Sequence, residues 1–169
     1  SGWVVQDRSE ANVYAAPGVA IREVPLEKGH GRADYLLFLD GKAVGAFEAK
    51  KAGTTLTGIE IQADKYSEGL PSTFKAPLRP LPFVYIGTGE ATAFFNQLDP
   101  APRTREIFAI HRPETLAEWL NAHSGGAGGY FRRGLRAFRF GSSLCNSTTT
   151  LTSPPRAVAL RIVAMKGAG

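Results

Sequence analysis

ADYLLFLDGKAVGAFEAK, residues 33–50, decides how this chain folds. Two apolar runs, YLLFL and AVGAF, flank an Asp-Gly pair at 40–41. Asp-Gly between two such runs is a strong signal for a tight β-hairpin. The first run is nearly continuous, as expected for a strand buried on both faces. Charges stand at the open end of the hairpin: Asp34 enters the first strand, and Glu48 and Lys50 leave the second. Side chains alternate faces along a strand, so Glu48 and Lys50 share one face, and Ala49 and Lys51 take the other. A turn at 40–41 sets residue 34 opposite about residue 47, give or take a bulge. Asp34 and Glu48 can then approach a single cation. Two close carboxylates repel unless a cation lies between them, and hard oxygen ligands with few protein partners suit Mg²⁺. A lysine beside such a site can orient a water or stabilise charge on a phosphate.

Outward from the hairpin, strand-like segments read at 3–7, 19–26, 81–89, 92–97 and 106–111. A helix reads at 57–68, where Thr57 and Glu60 form a capping box and Gly69 and Pro71 end the run. Gln62 and Tyr66 are four apart and share one face of it. A second helix reads at 113–123, with Pro113 in its first turn and Leu116 and Leu120 on one side. This alternation predicts an α/β domain built on a mixed sheet of about five strands flanked by helices.

The chain has 169 residues and a formal net charge of +5. Its length and composition suit one globular domain with a real core. Residues 130–169 hold seven Lys and Arg and no acidic residue, so the basic excess lies wholly in that tail. The main body is not a basic nucleic-acid-binding surface on charge alone. The stretch SGGAGG at 124–129 reads as a linker. The organisation expected is thus a domain over 1–123, a linker over 124–129 and a basic tail over 130–169, read as a disordered or adventitious extension, with nucleic-acid binding through its arginines as the alternative. No apolar run nears the roughly 20 residues that span a membrane. The single cysteine, Cys145, suits a reducing cytoplasm.

Remaining candidates are less pointed. Glu23 reads as a solvated strand charge or as a neighbour of the same cleft. His30 and Arg32, in KGHGRAD, read as a polar loop flank or as phosphate contacts, for which an arginine fork is suited. His111 and His123 show no ligand spacing.

The Asp34, Glu48 and Lys50 spacing resembles the PD-(D/E)xK nuclease motif. Alone, that spacing is a weak signal, since charges at strand ends look the same. The wider stretches, YAAPGVAIREVPLEKGHGRADYLLFLDGKAVGAFEAKKAGTTLTGIEIQADKYSEGL (14–70) and RPLPFVYIGTGEATAFFNQLDPAPRTREIFAIHRPETLAEWL (79–120), resemble the N-terminal nuclease domain of type I restriction enzyme R subunits. The resemblance extends over about residues 3–122 and implies a restriction-endonuclease-like fold. It implies Asp34, Glu48 and Lys50 as catalytic residues, with Asp34 and Glu48 on Mg²⁺. It implies Gln62 and Tyr66, in QADKY, as the Q-x-x-x-Y element, supporting the site or contacting DNA, with a core role for Tyr66 and a surface or capping role for Gln62 as the alternative. Double-stranded DNA, methyltransferase and specificity subunits are the implied partners, with no membrane. ATP is expected only for a translocase region that this sequence does not contain, and no G-x-x-x-x-G-K-[ST] loop is present. The family domain begins with a helix ahead of "GW", where this sequence starts, so that helix is expected to be missing. Two other readings remain open: a non-catalytic remnant that binds DNA or partner subunits, and a stand-alone structure-specific nuclease.

Overall fold

The computed structural model describes residues 2–54, 56, 65, 66 and 68–125. The hairpin read from the sequence forms as β3 (Arg32–Leu39) and β4 (Lys42–Ala49). Leu39 faces Lys42 across a two-residue loop, with φ of 45° at Asp40 and 75° at Gly41. Positive φ at both central positions is what a turn matching the strand twist demands, and Asp-Gly supplies it.

Around the hairpin stand β1 (Val4–Asp7), β2 (Gly18–Pro25), β5 (Phe83–Gly87), β6 (Thr92–Asn96) and β7 (Thr104–Ile107). All seven strands form one sheet, ordered as in the chain. The pairs β1–β2 and β4–β5 are parallel and the other four are antiparallel. The sheet is mixed, as expected, but has seven strands where about five were expected. Flanking by helices is not evident: the one complete α-helix among the described residues is α1 (Pro113–His123), beside a single 3₁₀ turn at Arg8–Glu10. Most of the 57–68 helix lies outside the described residues, although Lys65, Tyr66 and Glu68 are helical. Residues 126–169, with nearly all of the linker and the whole tail, also lie outside them. The segment read as a strand over 106–111 pairs only as far as Ile107, and His111 is off the sheet.

Both faces of the sheet are covered, which explains the unbroken apolar run in β3. One face carries Ile21, Leu36, Phe38, Ala46, Val84 and Ile86, packed with Tyr66, Leu70 and Leu81. The other carries Leu37, Leu39, Phe47, Phe83, Tyr85 and Phe94, packed under Leu116, Ala117 and Leu120 of α1. Burying each such leucine stabilises the fold by about 1.5–3 kcal/mol. Gly18 permits the start of α1 to seat here, since a Cβ would fall 2.2 Å from Pro113 Cγ.

One irregularity sets the geometry of the hairpin's open end. Phe38 faces Ala43, but Leu37 faces Gly45, so Val44 is an extra residue in β4. Such a bulge interrupts the alternation of side chains. Ala43 packs on the Tyr66 face and Val44 on the α1 face. Beyond the bulge Ala46 returns to the Tyr66 face and Phe47 to the α1 face.

Candidate functional site

Past the bulge the β3–β4 register pairs Tyr35 with Phe47, and its continuation sets Asp34 level with Glu48. Residues directly opposite in an antiparallel pair share a face. Were Val44 paired in a regular ladder instead of bulged, the hairpin would set Asp34 against Phe47, and the one-residue slip would put the two carboxylates on opposite faces. Asp34 Oδ2 accepts the amide hydrogen of Ala49 at 2.8 Å, tying the carboxylate to the end of the neighbouring strand. The Lys50 amide donates to the Gly87 carbonyl at 2.7 Å, so parallel pairing with β5 holds the backbone just after Glu48.

Both oxygens of the Glu48 carboxylate are engaged. Lys50 Nζ donates to Oε1, and the Tyr66 hydroxyl donates to Oε2 at 2.5 Å. The Glu48 side chain is 13% exposed and that of Lys50 31%. Partial burial pushes the Glu48 carboxyl up. The hydrogen bonds from Lys50 and Tyr66, with the charges of Lys50 and Lys65, outweigh this and hold it below the ordinary value of 4.5. Burial raises the Tyr66 phenol strongly, and the bond to Glu48 and the charges of Glu48 and Asp34 raise it further. Tyr66 therefore stays protonated and serves as a donor. Its ring is fully buried in the core, so it is a core aromatic and a carboxylate partner at once.

The structure thus brings Asp34, Glu48, Lys50 and Tyr66 to one place. Three other candidates are engaged elsewhere. Arg32 forms an ion pair with Glu23 at 3.0 Å, both well exposed. Glu23 itself adopts φ of 54°, a conformation uncommon outside glycine. His30 packs against Gly69, where a Cβ would fall 2.4 Å from that of the histidine. Gln62 lies outside the described residues. One residue escaped the sequence reading: Lys65, whose charge reaches Glu48 and whose ammonium lies 5.4 Å from the centre of the Tyr66 ring. Its signal was adjacency to Tyr66 in QADKY; helical spacing drew attention to Gln62 instead.

The donor chemistry fits a small hard cation. Asp34 and Glu48 offer carboxylate oxygens, each with lone pairs beyond the hydrogen bonds it accepts. Mg²⁺ is commonly held by one or two carboxylates, with waters and substrate phosphates completing its shell. Among the described residues no cluster of three or more His, Cys, Asp or Glu is placed to hold a metal ion. Among the described residues, Asp34 and Glu48 are the carboxylates that the register sets level with each other.

No helix among the described residues is long and apolar enough to cross a membrane. Neither a curated protein nor a solved structure matches the chain. Residues 10–79, which include Asp34, Glu48, Lys50, Gln62 and Tyr66, match a family model described as the second domain of the type I restriction enzyme EcoKI endonuclease subunit. That span is less than half of the chain, and it makes the hairpin and its charged end similar to a region of a type I restriction enzyme R subunit.

Proposed function

We propose that this chain serves in a restriction system as a DNA-cleaving module that hydrolyses phosphodiester bonds with the help of a divalent cation. The observation that carries the reading is the Glu48 carboxylate, kept ionised between Lys50 and Tyr66 and level with Asp34 on the adjacent strand. The similarity of residues 10–79 to an R-subunit region supports it. Asp34 and Glu48 would hold Mg²⁺, which in such sites polarises a phosphate and lowers the pKa of a bound water.

The chain's own residues supply the rest. Tyr66 orients Glu48 and keeps it ionised by donating to Oε2. The Ala49 amide orients Asp34. Lys50, now paired with Glu48 Oε1, provides an ammonium that can turn to a water or to the negative charge building on the phosphate. The sequence shows no base-reading motif, so sequence recognition would come from specificity and methyltransferase subunits, with double-stranded DNA as the substrate. A cytoplasmic site of action goes with this reading.

One observation favours a second reading, a folded module that binds DNA or partner subunits without cutting: both oxygens of Glu48 are already engaged inside the protein. Nicking of supercoiled plasmid in Mg²⁺ separates the two. The nuclease reading expects nicking by the chain, lowered by about a hundredfold or more in Asp34→Ala and Lys50→Ala, the range seen for loss of a proton-transfer group. Equal nicking by all three proteins would eliminate this site, and none by any would favour the binding module.

A further inference from the structure

Lys65 has the placement of a substrate contact. Its ammonium is 5.4 Å from the centre of the Tyr66 ring, and the hydroxyl of that ring donates to Glu48. The two lysines near Glu48 differ in how they are held. Lys50 is paired with the Glu48 carboxylate. Lys65 forms no ion pair among the described residues and is steadied by an aromatic face. A cation over a ring is positioned without being neutralised, because the ring carries no net charge. The apolar stem of a lysine can be half-buried while its head stays available.

Charge balance gives this a purpose. Before a cation binds, Asp34 and Glu48 against Lys50 alone leave the site net negative, which repels a phosphodiester. The charge of Lys65, which already reaches Glu48, brings the group to neutrality. A lysine acts on phosphate as a compact point charge with three donors, and needs no fixed fork geometry.

We propose that Lys65 is a phosphate-contacting residue of this site, its ammonium held over the Tyr66 ring to bind the backbone of the DNA strand presented to Asp34, Glu48 and Lys50. The inference rests on the nuclease reading, and its test can fail separately. Binding of a fluorescent DNA duplex to the 169-residue chain is measured by anisotropy across a salt series, with Ca²⁺ replacing Mg²⁺. Lys65→Met keeps a flexible, unbranched side chain and removes the charge. It should weaken binding and reduce the slope of log K against log salt by about 0.9, the share of one phosphate contact. Lys65→Arg should keep the wild-type slope. A wild-type slope in Lys65→Met overturns the proposal and leaves the nuclease reading standing, and so does an equally reduced slope in Lys65→Arg. Failure of the wild-type chain to bind duplex at any salt overturns both.

Discussion

Each face of the sheet buries a tyrosine whose hydroxyl meets a titratable group, and the two pairs are built to opposite ends. On one face Tyr66 donates to Glu48, with Asp34, Lys50 and Lys65 close enough for their charges to act on the pair. On the other, the Tyr85 hydroxyl lies 3.0 Å from His111 Nδ1, walled by Phe94 and Trp119, whose rings stand 4.5 and 5.0 Å from the imidazole. Trp3 closes that box by donating to the His111 carbonyl at 2.8 Å. The first pair keeps a charged form inside the protein. The second keeps a neutral one, since burial, then the charge of Arg105, lowers the His111 pKa. A phenol in a core can therefore serve either a charged cluster open at the sheet's end or a sealed seam between sheet and helix.

The comparison breaks most visibly at the seam. Tyr85→Ala should cost about 3–5 kcal/mol in urea unfolding, as for other large buried aromatics, because it empties the centre of the α1 face. Tyr66→Phe keeps the ring and should cost less, about 1–3 kcal/mol, by removing a donor from a half-buried carboxylate. Its second effect distinguishes it: the Glu48 carboxyl should rise, moving the acid limb of a nicking profile to higher pH. An unmoved limb would deny Tyr66 its role on Glu48. Tyr85→Phe should cost only about 0.5–1.5 kcal/mol and leave nicking unchanged.

The smallest effect is in pH. The folded-state pKa of His111 lies below its ordinary 6.5, so the unfolded chain takes up the proton first as pH falls. Its contribution to stability is complete above about pH 6.5 and is lost on acidification toward the folded value. Tyr85 on β5 and Arg105 on β7 are the titratable and charged groups acting on it. Melting of the wild type against His111→Gln at pH 8 and pH 5.5 should show the wild type losing more on acidification. Parallel losses would remove His111 from the account.

Much of the fold was readable in the sequence because the signals were local. The Asp-Gly turn, the apolar run of β3 and the Pro113 start of α1 each depend on neighbours in the chain. The end of β7 was not, because Phe108 and Ile110 continue an apolar pattern past the last paired residue, yet Phe108 is exposed, and Ile110 and His111 serve the α1 face and the aromatic box instead of the sheet. At the site, the shared face of Glu48 and Lys50 followed from alternation, but a regular ladder sets Asp34 against Phe47, and only the bulge brings it level with Glu48. Arg32 and His30 followed from no such pattern, since long polar side chains settle by the charges and contacts they meet in space, here Glu23 and Gly69. The bulge had one trace in the sequence: an isolated glycine in a strand often marks a bulge or a close backbone approach. Gly45 marks both, for a Cβ there would lie 2.1 Å from the Phe83 carbonyl oxygen.

The extra residue in β4 turns the distance between two acids into a question of parity. With the turn at 40–41, an acid at 47 would meet Asp34 across a regular ladder, whereas one at 48 meets it only if β4 miscounts by one. Deleting Val44 would shorten the spacing by one and straighten β4, and the pairs Leu37–Gly45, Leu36–Ala46 and Tyr35–Phe47 would still set Asp34 level with Glu48. The site is thus encoded as much by a count as by its acids, and chains with the same turn but a spacing one shorter would need a regular strand to build it.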